Sequence, residues 1–395
     1  MGIDAEGKRR QKWHTVHGTK KDAEAELARL VHEVNTGAYA EPDKMLVREY
    51  LDRWLKDYAR VSVAPKTYER YDQIVRLHLS PSIGHIPLLK LKPLHIQAME
   101  AEALVSGRKR RRKTLADASV ATPRQNEASE PEDKKKTEGL SARSVLHLHR
   151  VLRTALQQAV QWQILPRNPA GAVRPPRPER KEMQALDEDG TAKLLVSAQS
   201  TRVWIPVLLA VTTGMRRGEI LGLGWSDVDL DNGVLCVRQA LSKTQAEGIV
   251  FREPKTAKSR RTLALMHMTV DALKEHRKRQ TEERLRLGPV FEDHGLVCAK
   301  EDGRPWHPES FTSAWRILCR DTGVTVRFHD LRHTHATQLL RGGIHPKVVS
   351  ERLGHSTIAL TLDTYSHVLP GMQEEAAAKL DAILQKALDG LPSAR

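Results

Sequence analysis

Cysteine is almost absent from this chain of 395 residues: Cys236, Cys298 and Cys319 stand far apart with no CxxC pair among them. That spacing argues against a disulfide framework and a zinc module, and makes the cytosol the expected compartment. Aromatic residues are also scarce, at 4%, so base stacking is not expected to dominate any contact with nucleic acid. Long apolar runs are missing. The longest, Val203 to Val211, is too short to cross a hydrocarbon layer about 30 Å thick. Residues Met1 to Glu6 carry no apolar stretch of the secretory type, so neither an export signal nor a membrane partner is expected. No internal repeat recurs at a fixed period.

Positive charge is what the chain has in excess. Lys and Arg number 64 against 49 Asp and Glu, a formal net charge of +15 with a pI near 9.8. An imbalance of that size attracts polyanions, nucleic acid first among them, and binding through phosphates should weaken steeply with salt as counterions are released. The length fits two or three domains, each burying its own core.

The densest chemistry lies near the C-terminus, where His329-Asp330-Leu331-Arg332, Leu353-Gly354-His355 and Tyr365 follow one another closely. Singly, each residue is most simply surface or core filler. Together they supply a cation to grip phosphate oxygens, imidazoles to donate hydrogen bonds or move protons, and a phenol to become a covalent carrier. His329 and Arg332, three positions apart, project from one side of a helix or its first turn. Upstream, Gly214 allows a sharp turn after an apolar helix, so that Arg216 opens the next one and Glu219 can orient it. An arginine fork matches two phosphate oxygens and stays charged at any working pH. Between the alternating runs Val234–Val237 and Thr262–Leu265 lies Pro254–Arg261, a hairpin tip whose Lys255 can reach into a groove and protonate a leaving 5′ oxygen. The set implies DNA strand cleavage without a metal. Zinc at His329, His333 and His335 is a weaker reading, since no Cys or carboxylate completes a tetrahedral set in sequence.

The rest of the chain divides into modules. Lys8, Arg9, Arg10, Lys12 and Trp13 lie in a short basic strand, and from Thr19 a Lys-rich helix carries Ala23, Leu27, Leu30 and Val34 on one stripe; residues 1–43 read as a small DNA-touching module. Residues 44–172 read as a helical bundle, with a helix from Val47, another from Thr67, a turn over Leu79–Leu88, a helix from Pro93 and one from Ser141. Ser106 to Gly139 is polar, charge-blocked and without apolar periodicity, an insertion expected to lack order. Prolines in 173–180 make a stiff connector, a hinge that would let two halves close around a duplex. The body is 181–373, and 374–395 is a tail with an amphipathic helix carrying Leu380, Ile383, Leu384, Ala387 and Leu388.

Thr213-Gly214-Met215-Arg216 with Glu219, Lys255-Thr256, His329-Asp330-Leu331-Arg332-His333-Thr334, Leu353-Gly354-His355-Ser356 and Thr361-Leu362-Asp363-Thr364-Tyr365 together resemble the tyrosine recombinases, in the phage-integrase branch. Met215 stands where leucine is usual, and the basic strand resembles the end of an arm-site-binding domain whose earlier strands are missing. The resemblance implies a mainly α chain with a small β-sheet: a helical core-DNA-binding domain and an α+β catalytic domain. It implies that Arg216, Arg332 and His355 hold the scissile phosphate, Tyr365 attacks, His329 accepts its proton and Lys255 protonates the 5′ hydroxyl. The product would be a 3′-phosphotyrosine, with no cofactor needed. The partners implied are double-stranded DNA attachment sites, a homotetramer on synapsed DNA, and an accessory host or excision factor. A type IB topoisomerase shares the chemistry but needs no partner site; a binding-only regulator would share the fold, and the intact set of six residues argues against it.

Overall fold

The computed structural model describes residues 15–16, 18–35, 45–107, 139–179, 183–253, 260–365 and 372–389, and the chain separates into two compact units, Met1–Arg180 and Lys181–Arg395.

In the first unit α1 (Lys20–Asn35) opens on a Thr19–Asp22 cap, with the Thr19 hydroxyl and amide donating to Asp22 at 2.7 and 2.8 Å. Of its apolar stripe, Ala23 and Leu27 are exposed and Leu30 is half-buried. The basic residues Lys8, Arg9, Arg10, Lys12 and Trp13 lie outside the described residues. The bundle follows. α2 (Val47–Trp54) continues through a π-helical turn, Leu55–Ala59, into α3 (Arg60–Ser62). α4 (Pro65–Ile74) continues through a second such turn, Val75–Leu79, into α5 (Ser80–Ile83). Helix thus extends past Leu79, where the proline suggested a turn. Pro81 has no amide to donate, and it sits in the first turn of a segment that follows the wider π turn, where that loss is tolerated.

α6 (Pro93–Ser106) and α7 (Ala142–Gln161) complete the bundle around Tyr50, Trp54, Leu79, Ile96, Leu152 and Leu156, all fully buried. Tyr50 donates to the Ala155 carbonyl at 2.5 Å, and His149 bonds Glu100 at 2.7 Å inside the core. The flanks of the polar insertion meet, the Leu140 amide donating to the Ala103 carbonyl at 2.8 Å; residues 108–138 lie outside the described residues.

The second unit begins with α8 (Glu188–Ala198), capped by Asp187, then α9 (Trp204–Thr213) and α10 (Arg217–Leu221). β1 (Val228–Asp229) and β2 (Val234–Val237) come next; β3 (Ala240–Thr244) and β4 (Gly248–Arg252) form a separate hairpin; β5 (Arg261–Ala264) returns to pair antiparallel with β2, Leu235 opposite Leu263. The two strands read from sequence are therefore neighbours, and the β3–β4 hairpin between them was not foreseen because Lys243, Thr244 and Gly248 break its apolar alternation. α11 (His267–Leu287), α12 (Pro308–Thr322), α13 (Asp330–Arg341), α14 (Pro346–Leu353), α15 (Ile358–Tyr365) and α16 (Met372–Asp389) follow. Among the described residues the chain is mainly helical with two small sheets, in accord with the expected class. α9 packs on α8, α10, α11 and α13, and its apolar residues and Leu331 of α13 belong to one core with Leu235, Val237 and Leu263 of the sheet. No helix among the described residues is long and apolar enough to cross a membrane.

Candidate active site

α9 is buried on every side, from Ile205 to Thr213. It ends at Gly214, whose φ of +67° is left-handed, and a Cβ there would sit 2.7 Å from both His335 Cδ2 and Leu353 Cδ2. Glycine is required on both counts. The chain reverses at once, and Arg216 stands just before α10 with its own amide donating to Glu219 at 2.9 Å and its guanidinium at 2.7 Å. Arg216 also reaches the Gly354 carbonyl at 3.4 Å and keeps its side chain 39% exposed. Arg217 faces elsewhere, toward Thr312 on α12 at 2.7 Å.

Glu219 is buried and holds a second cation, Arg261 at the start of β5, at 2.9 Å. Burial raises its carboxyl, but the Arg261 hydrogen bond and charge, then the Arg216 amide and charge, bring it below the usual range. Stability drawn from this depressed acid is present above the ordinary carboxylate value and lost as pH falls through and below it. Glu219→Gln should therefore cost about 3–5 kcal/mol at neutral pH, because Arg261 stays buried with its counter-charge gone. The deficit should shrink toward pH 3, which melting curves across that range measure.

Arg332 lies on α13 with 3% exposure. One terminal nitrogen donates to the Gly214 carbonyl at 2.7 Å and the other to the Leu353 carbonyl at 2.6 Å. A single guanidinium thus ties the turn before Arg216 to the end of α14. Burial, then the charges of Arg216 and Arg261, act to lower its proton affinity, with Glu219 and Tyr365 opposing; arginine remains charged at working pH. α14 ends at Gly354 in the left-handed conformation, φ +65°, over the Arg261 side chain. His355 follows, its Nδ1 2.8 Å from the Thr361 hydroxyl. Burial first, then Arg332 and Arg216, push it down to about 4, so the ring is neutral at pH 7.

Tyr365 ends α15 and is 2% exposed. Burial pushes its phenol up to about 12, against the pull of Arg332. Its hydroxyl lies 2.7 Å from His333 Nδ1. His329, at the start of α13, is exposed, and its ring lies 5.4 Å from that of His333, nearly edge-on. His335 turns the other way, donating from Nδ1 to the Val211 carbonyl at 2.8 Å, so the three histidines of α13 do not share one focus. Among the described residues no cluster of His, Cys, Asp or Glu could hold a metal ion. Lys255 falls within 254–259, outside the described residues.

Structure therefore joins Arg216, Glu219, Arg332, His355 and Tyr365 in one network and adds two residues, Arg261 and His333, to which the sequence gave no catalytic role. Arg261 gave no signal, since its role arises only when β5 passes beside α10. His333 did give one: it stands one helical turn after His329, on the same side of α13.

A buried arginine fixed by two carbonyls, a more exposed arginine, two imidazoles and a buried phenol on a mainly helical body define a class, the enzymes that cleave and rejoin DNA through a tyrosine. The sequence profile of the Phage integrase family matches residues 182–371, and that of the phage integrase N-terminal SAM-like domain matches 46–100. A tyrosine recombinase XerC-like protein of Caldanaerobacter subterraneus subsp. tengcongensis is 28% identical over 381 residues, 92% of this chain and 90% of the relative. In fold the chain is similar to the Tn1549 transposon integrase solved with a circular intermediate DNA, with a TM-score of 0.66 at 18% identity, covering 86% of this chain and 99% of that one. It is also similar to the lambda integrase tetramer bound to a Holliday junction, with a TM-score of 0.54 at 18% identity over 91% of this chain and 90% of that one. The chain belongs to the phage integrase family of tyrosine recombinases, and it is a site-specific DNA recombinase.

Proposed function

We propose that this recombinase integrates or excises a mobile element by exchanging strands between two attachment sites through a 3′-phosphotyrosine. Arg216, Arg332 and His355 bind the scissile phosphate, with His329 at the open edge beside them. The Thr361 hydroxyl at 2.8 Å from Nδ1 leaves the other ring nitrogen of His355 as the donor to phosphate oxygen. Tyr365 is the nucleophile, Glu219 holds Arg216 in place, and Lys255 protonates the departing 5′ oxygen. Donors fixed before the reaction stabilise the charge gathering on the pentacoordinate phosphorus. The linkage conserves the energy of the phosphodiester, so a second strand can attack it without ATP.

What supports these roles above all is the Arg332 fork, with its carbonyl partners Gly214 and Leu353 at 2.7 and 2.6 Å. It draws the three separated motifs to one point and leaves the remaining N–H groups of the guanidinium for an anion. Residues 1–43 act as an arm module, 44–172 as the core-DNA-binding domain, 173–180 as linker, 181–373 as the catalytic domain and 374–395 as a tail. A tetramer on paired duplexes, in the cytoplasm and with an accessory host or excision factor, completes the reading; the lambda integrase tetramer on a Holliday junction supports the assembly by likeness of fold.

The experiment is to trap the enzyme on nicked duplexes carrying candidate sites, then to supply a partner site. A covalent adduct followed by recombinant product is the expected result. Adduct with plasmid relaxation but no joining favours a topoisomerase, and binding without adduct favours a regulator. In the same assay, removal of residues 1–43 should leave cleavage at a core site unchanged and weaken binding to distant arm sites by on the order of 10²-fold, the avidity of a second module; unaltered arm-site binding overturns the arm assignment.

A further inference from the structure

From the geometry we infer that His333, rather than His329, is the catalytic residue that takes the proton from Tyr365. The inference rests on the recombinase reading above and specifies one step within it. Three observations carry it. His333 Nδ1 is 2.7 Å from the Tyr365 hydroxyl, within the range of a direct proton transfer. His329 has no described hydrogen bond to that hydroxyl and sits exposed at the start of α13. The phenol itself is 2% exposed, so its proton leaves most directly through the group that touches it.

The direction of the hydrogen bond follows from the two acidities. Burial holds Tyr365 protonated, pushed up to about 12. His333 is held down to about 4, by burial first, then by His329 and Arg332, with Asp330 opposing. A neutral imidazole beside a protonated phenol accepts at Nδ1 and carries its own hydrogen on Nε2. The charged and titratable groups facing it are His329, Asp330, Arg332 and Arg327 on or just before α13, His355 after α14, and Tyr365 on α15.

In the step, the Tyr365 oxygen forms a bond to phosphorus as its proton passes to His333 Nδ1. The P–O5′ bond breaks, its electron pair goes to the 5′ oxygen, and that oxygen takes a proton from the acid on the leaving side. His333 becomes an imidazolium beside Arg332, so the proton is loosely held and is returned to Tyr365 when a 5′ hydroxyl attacks the phosphotyrosine. A base that stays neutral at pH 7 and returns its proton readily suits a reaction that runs both ways.

The test is single-turnover adduct formation on nicked duplexes by the full chain, comparing wild type with His333→Ala, His333→Asn and His329→Ala. Asparagine presents an acceptor oxygen near the place of Nδ1 but cannot take a proton. The expected result is a fall of roughly 10²–10³-fold at pH 7 for both His333 variants, at unchanged DNA affinity. Wild type should be nearly flat from pH 5.5 to 8, because its acceptor is lost only as pH falls toward about 4. The His333 variants should rise about ten-fold per pH unit, hydroxide replacing the lost base. A substrate with sulfur in place of the bridging 5′ oxygen, which needs no acid on the leaving side, should not rescue them.

The inference is overturned if His333→Ala cleaves within about three-fold of wild type, if His333→Asn restores the wild-type rate and flat pH profile, or if sulfur restores either. It is also overturned if His329→Ala shows the ten-fold-per-unit slope and the His333 variants do not. If wild type itself forms no adduct, it is the recombinase reading that fails. Matching melting curves and DNA affinities keep a folding defect from passing as a catalytic one.

Discussion

Tyr365→Phe should form no covalent adduct on any nicked site that the wild-type enzyme cleaves, while binding those sites with unchanged affinity. The substitution removes one oxygen. Its ring still fills the place at the end of α15, packed with Ala336, Leu340, Val349 and Leu353, so the fold around the phosphate donors persists. What is lost is the only atom of that side chain able to bond phosphorus. The hydrogen bond to His333 at 2.7 Å goes with it, at a cost of about 1 kcal/mol in stability. Denaturing gels read the first effect and melting curves the second. Adduct at the wild-type level would remove Tyr365 as nucleophile, and with it the strand-transfer mechanism built on this site.

Arg332→Ala should lose both activity and stability, and this pairing separates it from a residue that serves one of them. Removing a fixed donor from a charge-stabilising site costs about 10²–10³-fold in rate. The carbonyls of Gly214 and Leu353, at 2.7 and 2.6 Å from its guanidinium, would lose a charged donor inside the core, each worth roughly 1.5–3 kcal/mol. The turn before Arg216 and the end of α14 would then be held only by longer contacts, Arg216 to the Gly354 carbonyl at 3.4 Å and Arg352 to the Thr212 carbonyl at 3.3 Å, so His355 and Arg216 should drift and the rate fall beyond the loss of one donor. Arg332→Lys should recover part of the rate and little of the stability, since a single ammonium on a flexible stem does not bridge two carbonyls in the manner of a planar fork. Adduct rate and melting temperature, measured on the same preparations, check both halves. Arg332→Ala with wild-type stability would mean that the fork does not hold the two turns.

Much of this was legible in the one-dimensional chain, for physical reasons that can be named. Charge excess and scarce cysteine are sums over residues and need no fold. The helices of the bundle announce themselves because Val47, Leu51 and Trp54 recur at the helical period, and all three are buried. Arg216 and Glu219 were paired by their spacing alone, since neighbours one turn apart meet whatever lies around them. Short-range geometry is written in the sequence wherever the backbone is regular.

The exceptions arise where the backbone departs from that regularity or where partners are distant in the chain. The π turns Leu55–Ala59 and Val75–Leu79 carried helix past the proline that suggested a stop. Ala23 and Leu27 share the apolar stripe of α1, yet both are exposed; periodicity states which residues share a side, not whether anything covers it. In the site, sequence determined the residue types: two arginines, imidazoles and a tyrosine in motifs specific enough to name a family. Only the tertiary structure decided who touches whom. It brought Arg261 from β5 to Glu219, set Arg332 across two turns distant in the chain, and gave the Tyr365 hydroxyl to His333 rather than His329. Those contacts depend on how α9, α13, α14 and the sheet pack, and packing is a property of the whole core, which no local pattern encodes.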